Sequence, residues 1–439
     1  MNRLLNFCMI TTFYPPYSFG GDAMGIYRLS NAVARLGHKV DIIHCKDAYF
    51  ALNPKVPERD FQNHSNITLY GLKSRLGLLS PLLTQQTGYP FLKSRKIEKI
   101  LSAKKYDVIH YHNISLVGGP KLLRPRKEIT LYTTHEHWLV CPMHVLWKFN
   151  RELCKKRSCF VCSLVWKRPP QLWRYTNLLN NAVKNVDYFI SPSRFTINKH
   201  HESGLKNPFV HMPYFLPLSE ELSYEKINEK DEKHIGPYFL FVGRLEKIKG
   251  LQNLIPVFKE YSKAKLLIAG DGGYGKTLRK LARGNDNIRF LGKSNHRELR
   301  KLYKHAIAVI VPSICYEVFG IIIIESFSMK TPVIVNNISA PTEVIEDSGG
   351  GFIYNNNKEL IQAMDILRTE PETRKSLGEK GYEAYRKYWT EDNCLKIYFD
   401  LINKIALKKK IDITVKETFT SEQPTFASSA TESDIKCRY

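Results

Sequence analysis

The stretch Tyr316-Glu317-Val318-Phe319-Gly320-Ile321-Ile322-Ile323-Ile324-Glu325-Ser326-Phe327 decides how this chain is read. Glu317 and Glu325 stand with seven residues between them, and the second lies in an apolar run. An ionised carboxylate there is costly unless something hydrogen-bonds it. If Phe319-Gly320 opens a helix, its free N–H groups and positive dipole end face what precedes them, which suits a phosphate. Eight helical steps would keep the two glutamates within about 12 Å. That is the reach from a sugar across a diphosphate to a ribose, so the pair has the layout of a nucleotide-sugar site. A plainer reading fits the same residues. Four isoleucines in a row match a buried strand by propensity, and Glu325 could be a core carboxylate paired to a distant Lys or Arg.

Outward from this stretch, strand-like and helix-like segments alternate, which predicts α/β architecture with parallel sheets wrapped by helices. Asn6–Phe13 reads as a first strand, followed by a loop with Pro15, Pro16, Gly20 and Gly21. Ala23–Leu36 reads as a helix stopped by Gly37. The apolar segments Val108–His112 and Ile129–Thr134 end in His110, His112 and His135, and ligands of such sheets bind at the carboxyl ends of strands. A charged stretch between Leu216 and Ile235 reads as a linker. A second alternating half opens at Tyr238-Phe239-Leu240-Phe241-Val242, and Trp389–Ile405 reads as a last helix. Thr418–Ser433 is Ser/Thr-rich with few apolar residues, the composition of a disordered tail.

At 439 residues the chain is too long for one ordinary core. Its 66 basic and 42 acidic residues leave a net charge of +24, which predicts an anionic partner without choosing among nucleic acid, phosphorylated substrates and a membrane face. Met1–Ile10 does not read as an export signal. No run nears the roughly 18 apolar residues that span a bilayer. The expected compartment is therefore the cytosol, where nine cysteines are thiols or metal ligands before they are disulfides.

Two glycine turns follow strands of the second half. Gly243-Arg244-Leu245-Glu246-Lys247-Ile248-Lys249-Gly250 puts an Arg fork and a Lys point charge at the opening of a helix, a clamp for a diphosphate or else a solvated basic turn. Gly270-Asp271-Gly272-Gly273-Tyr274-Gly275-Lys276-Thr277 matches the P-loop pattern. A P-loop NTPase also needs an acid at the end of a neighbouring strand to hold Mg²⁺. The next strands end in Leu291-Gly292 and Val311-Pro312-Ser313, without one.

Together these pieces resemble the family-four retaining glycosyltransferases of GT-B architecture, over about residues 6–405. The similarity is carried by Phe13-Tyr14-Pro15-Pro16, Gly20-Gly21, Gly37-His38, Asp107-Val108-Ile109-His110 and Thr134-His135. It continues through Gly243-Arg244-Leu245, Lys249-Gly250, Gly270-Asp271-Gly272, Phe290-Leu291-Gly292, Val311-Pro312-Ser313, Glu317-Val318-Phe319-Gly320 with Glu325, Thr331-Pro332-Val333-Ile334 and Glu343-Val344-Ile345. The resemblance implies two Rossmann-like domains facing each other across a cleft. An acceptor-binding domain would span 1–216, a linker 217–236, and a nucleotide-sugar-binding domain 237–388. A helix at 389–410 would cross back to the first domain, and a disordered tail would fill 411–439.

It also implies roles. Gly20 and Gly21 let the loop approach the donor diphosphate, which Arg244 and Lys249 neutralise. Glu317 binds the donor sugar's hydroxyls, Glu325 the ribose, and His135 contacts the sugar near the reaction centre. Gly243, Gly270, Asp271, Gly272, Gly292, Phe319 and Gly320 line the donor site. Catalysis needs no metal, with Arg and Lys supplying the electrostatics. The partners are a nucleotide-diphosphate sugar, a glycan or lipid-linked acceptor and an anionic membrane surface, with no nucleic acid. The alternative is an ATP-driven P-loop protein or a basic nucleic-acid binder. The chain departs from the family at Pro213-Tyr214-Phe215, where a Pro-Asn-Gly turn is usual, and at Lys330, where Gly is common.

Residues 135–174 form a basic, Cys-rich insert that holds Cys141, Cys154, Cys159 and Cys162. Four thiols, two of them in Cys159-Phe160-Val161-Cys162, suit a structural zinc or stand as buried thiols. Trp138, Trp147, Phe149, Phe160, Trp166 and Trp173, interleaved with cations, suit nucleic acid or an acceptor site close to a membrane.

Overall fold

The computed structural model describes residues 3–57, 61–217 and 236–413. Its strands are β1 (Asn6–Ile10), β2 (Lys39–Cys45), β3 (Ile67–Leu72), β4 (Val108–Tyr111), β5 (Ile129–Thr133), β6 (Trp147–Lys148), β7 (Glu152–Leu153), β8 (Tyr188–Ser191) and β9 (Phe209–His211), followed by β10 (Tyr238–Val242), β11 (Lys265–Ala269), β12 (Ile288–Gly292), β13 (Val309–Val311), β14 (Val333–Asn336) and β15 (Gly351–Tyr354). They build one sheet ordered β3-β2-β1-β4-β5-β8-β9, a second ordered β12-β11-β10-β13-β14-β15, and the small hairpin β6-β7. All pairings in the two large sheets are parallel. A parallel sheet covered on both faces wants continuous apolar strands. Phe7, Cys8, Met9 and Ile10 of β1 and all five residues of β10 are buried accordingly.

The order reverses between β1 and β4 in the first sheet and between β10 and β13 in the second. Ligands of doubly wound sheets bind beyond the strand ends at such reversals. The loops that leave these four strands carry Gly20-Gly21, His112, Gly243-Arg244 and Ser313–Glu317.

The isoleucine run is a helix, Ile321–Ser328, and not a strand. Gly320 precedes it with φ 120, a conformation that a side chain would strain. Glu317 therefore lies in the loop before the helix, and the distance argued from eight helical steps does not apply.

The final helix runs Glu391–Lys409. Cys394, Leu395, Tyr398, Phe399, Ile402 and Ile405 share one buried cluster with Leu5, Phe7, Val40 and Ile129, so the helix closes the core of the first sheet. Ile413 is buried in that cluster too, and Arg3 donates to the Asp412 carbonyl. Order thus continues past 410, where a disordered tail was expected to begin; residues 414–439 lie outside the described ones. Most of the expected linker, 218–235, also lies outside them. Leu216 already packs in the core of the second half and takes a bond from its own N–H to the Trp389 carbonyl at 3.2 Å. No helix among the described residues is long and apolar enough to cross a membrane.

Candidate functional site

The two halves meet where the strand-order reversals face each other. Gly20 has φ 79, and a Cβ there would stand 3.7 Å from Arg244 Nε. A Cβ on Gly21 would stand 3.3 Å from Ile321 Cδ1. The loop after β1 thus touches both the basic turn after β10 and the start of the helix Ile321–Ser328. No side chain caps that helix start, and of its first N–H groups that of Ile323 bonds the Gly320 carbonyl at 2.9 Å, while those before it suit another acceptor.

Lys249 Nζ lies 2.8 Å from Glu317 Oε1, and both side chains are mostly buried, at 23% and 13% exposure. The Ser313 hydroxyl donates to the same carboxylate oxygen, and the Glu317 N–H donates to Ser339 Oγ at 3.1 Å. Burial alone would raise the Glu317 carboxyl, but the charge and hydrogen bond of Lys249, with Ser313 and Arg244, outweigh it and hold it below its ordinary range. The same pair works in reverse on Lys249. Burial pulls the ammonium down, and Glu317 more than restores it. An anionic acceptor and a cation are thus fixed side by side in a half-closed cleft. Arg244 is more open, at 54% exposure, and pairs with Glu246 at 2.9 Å.

Glu325 sits on the helix and takes the Tyr303 hydroxyl at 2.9 Å. Arg28, from the helix Gly21–Arg35 of the other half, lies 3.6 Å away. The plainer reading, a carboxylate paired to a distant Arg, is therefore realised in the geometry, and the pair ties the two halves together.

His135 is buried, with Nε2 2.9 Å from His112 Nδ1 and Nδ1 2.6 Å from the Tyr214 hydroxyl. Burial pushes its pKa down to about 3, so the ring is neutral. Both nitrogens are taken by the protein, and the expected direct contact with a sugar requires one of these bonds to open. His110 is satisfied by Tyr398 at 2.9 Å and Thr133 at 2.8 Å. Sequence reasoning named Ser313 and Tyr214 only within motifs and gave no role to them, and it missed Asp22 and Ser339; for Asp22 the electrostatics are clear. Burial, then the charge of Glu136, raises Asp22 to about 6 against the pull of Ala23 N–H and Arg244. Its place directly after Gly20-Gly21, in the first turn of a helix, was the available signal.

Several expected donor residues have structural duties. Phe319 is 2% exposed and its ring packs on Tyr214 and Trp389, so only its backbone can face a ligand. A Cβ on Gly270 would fall 1.9 Å from the Gly243 carbonyl, and one on Gly272 2.6 Å from the Leu245 carbonyl. These glycines let two turns stack, which explains them without ATP. Asp271 bonds its own turn, the Gly272 N–H, at 2.8 Å. Gly292 accepts from Gly270 N–H at 2.7 Å.

Cys141, Cys154, Cys159 and Cys162 line one small cavity under the hairpin β6-β7. Among the described residues, however, no three such side chains are placed to hold one metal ion. Burial raises the thiols of Cys141, Cys159 and Cys154, the last to about 11, which favours neutral thiols.

A family model for Glycosyltransferase Family 4 matches residues 19–214, and one for glycosyl transferases group 1 matches residues 223–384. An uncharacterized glycosyltransferase of Methanocaldococcus jannaschii is 27% identical over 377 residues, 81% of this chain and 87% of that protein. The alpha-monoglucosyldiacylglycerol synthase of Acholeplasma laidlawii is 23% identical over 417 residues, 88% of this chain and 94% of that protein. The solved sucrose-phosphate synthase of Thermosynechococcus elongatus superposes with a TM-score of 0.69 at 18% identity, covering 92% of this chain and 100% of that one. With the paired reversals and their loops, these matches make one conclusion: the chain belongs to the family-four type of glycosyltransferases with GT-B architecture.

Proposed function

We propose that the protein moves a hexose, with retention, from a nucleotide-diphosphate sugar to a glycan or lipid-linked acceptor in surface polysaccharide or glycolipid synthesis. The observation that carries this reading is the Lys249–Glu317 pair at 2.8 Å, set beside Arg244 and the uncapped start of the helix Ile321–Ser328. Arg244, Lys249 and the helix N–H groups hold the diphosphate and stabilise its charge as it leaves, with no catalytic metal. Glu317 then holds the sugar's hydroxyls, exchanging part of its contact with Lys249 for them. Front-face attack assisted by the leaving phosphate needs no protein nucleophile. Glu325 receives the ribose, and Gly243, Gly270, Asp271, Gly272 and Gly292 frame the nucleotide. His135 acts through Tyr214, whose hydroxyl it orients.

The sheet of β1–β5, β8 and β9 would take the acceptor, and the lipid-linked choice is favoured by the glycolipid-synthase relative. The surface favours it as well. Leu76, Leu78, Leu79, Leu82 and Phe91 are exposed large apolar side chains, as are Phe160, Val161, Leu164, Val165, Leu172 and Tyr175. The two segments are joined by Trp173 Nε1 donating to the Gln85 carbonyl at 2.8 Å. Apolar residues beside the exposed cations Arg157, Lys167 and Arg168 suit the face of an anionic bilayer on the cytoplasmic side.

Calorimetry with UDP, GDP and ATP tests the donor reading, alongside turnover scored by released nucleotide. One diphosphate should bind, and Arg244→Ala or Lys249→Ala should cut turnover by orders of magnitude while Lys276→Ala matters little. ATP hydrolysis abolished by the Lys276 change would overturn it. The anomeric configuration of the product, read by NMR, decides retention.

A further inference from the structure

The basic insert has a feature the donor site does not use. Hairpin β6-β7 pairs Trp147 with Leu153 and Lys148 with Glu152. Its turn places Phe149 at φ 53 and Asn150 at φ 55, and among the described residues five of the eight non-glycine positions with positive φ (His144, Leu146, Phe149, Asn150, Lys167) fall within this insert. Each costs about 1–2 kcal/mol for a side chain with a Cβ, so the surroundings must impose the shape. They include Cys162 Sγ, which takes the Phe149 N–H at 3.4 Å, and Lys247 of the other half, which donates to the Asn150 carbonyl at 3.2 Å. The hairpin is thereby anchored to the same basic turn that supplies Lys249.

Between hairpin and donor loop lies a cavity of about 590 Å³, walled by Trp147, Lys148, Glu152, Lys155, Lys156 and Ile314. Ile314 stands three residues before Glu317 and is fixed by its N–H to the Ile248 carbonyl at 2.9 Å. The volume suits one or two sugar rings. Three ammonium groups face one carboxylate in its wall. Lys148 lies over the Phe149 ring at 4.9 Å, and among the described residues Lys155 and Lys156 are in no ion pair. The donor diphosphate already has Arg244 and Lys249, so these cations serve another anion.

We propose that this cavity is an acceptor subsite for a sugar that carries an anionic group, a phosphate or a carboxylate. It rests on the transferase reading given above and adds the acceptor's class. The lysines take the anion, and the Trp147 side chain walls the space for the sugar ring. The sugar to be extended then points past Ile314 toward the donor held at Glu317. A neutral acceptor would leave these ammonium groups to water and gain no charge-assisted bond from them.

The test is direct titration of the full chain with glucose 6-phosphate, glucuronate, glucose and inorganic phosphate, with no donor present. At low salt an anionic sugar should bind at least about tenfold tighter than glucose and tighter than inorganic phosphate, and the preference should fade with salt. The phosphate and carboxylate arms identify which anion is read. The double change Lys155→Glu/Lys156→Glu lies on exposed positions, so its melting temperature should hold while the preference disappears. Equal binding of glucose and the anionic sugars overturns the proposal, as does a preference that survives charge reversal or inorganic phosphate binding as tightly as the sugar phosphate. Nucleoside diphosphate titrated into the same variants keeps the two readings apart. If none binds the wild type, the donor reading fails while the saccharide titration still decides the subsite.

Discussion

The two glutamates that frame the helix start carry different burdens. Glu317 is held by a lysine and a serine of its own half, whereas Glu325 is shared between Tyr303 and Arg28 across the cleft. Glu317→Gln keeps the shape and removes the charge. It should leave the affinity for free nucleoside diphosphate nearly unchanged and lower turnover, because the lost contact orients the sugar and not the nucleotide. Glu325→Gln should weaken binding of both the free nucleotide and the intact donor, by roughly 1–3 kcal/mol for a charge-assisted bond. Calorimetry with kinetics on both variants checks this. An unchanged nucleotide affinity with a lowered melting temperature would make Glu325 a tie between the halves and nothing more.

At the scale of elements, the helix Glu391–Lys409 decides more than its position suggests. It follows the second half in sequence and seals the first, burying Leu395, Tyr398, Phe399, Ile402 and Ile405 against strands β1, β2 and β5. Tyr398 is wholly buried and bonds His110. Tyr398→Phe should cost about 1–3 kcal/mol by leaving the imidazole unsatisfied. Tyr398→Ala should cost about 3–5 kcal/mol, adding a cavity to that loss. Denaturant melts followed by probes in each half would show the first half loosening before the second. Equal loss in both would mean that the helix couples them into one cooperative unit.

For the molecule as a whole, buried neutral histidines set the acid limit. Burial lowers His135 and His137 to about 3, and His38, His44, His200 and His211 to about 4. Below the ordinary value near 6.5 the unfolded chain binds protons that the folded one refuses. Each such group's contribution is therefore full above that value and is lost as pH falls toward its folded one. That is roughly 1.4 kcal/mol per histidine for each pH unit below about 6.5. Asp22, raised to about 6, and Glu343, raised by burial, work the other way, but they are two groups against eight, since burial also holds His110 and His112 well below the ordinary value. Melting temperature should be level between pH 7 and 8 and fall steeply below about 6.5. A plateau reaching down to the carboxylate range would contradict the burial of these rings. The same scale holds the membrane proposal. Liposome binding should increase with anionic lipid, weaken with salt, and drop when Phe160 and Leu164 are both changed to Ser. Equal binding to neutral vesicles would remove the electrostatic part.

The sequence by itself determined the periodic features: alternating apolar segments, hence two parallel sheets, and glycines at the turns after strands, hence the places where loops can approach a ligand. It also marked Glu317, Lys249 and Arg244, because charged residues beside apolar strand ends and helix starts are rare without a use. Tertiary structure alone decided which of these residues meet. Four isoleucines carry no period that separates helix from strand, and only Gly320 with the packing of Ile323 and Ile324 on the second sheet resolved them. The Arg28–Glu325 pair spans almost three hundred residues, the His112–His135–Tyr214 chain joins three segments, and the lysine cavity needs Ile314 from the other half as its wall. Contacts at that separation are set by how two folded halves close on each other, which no local pattern encodes.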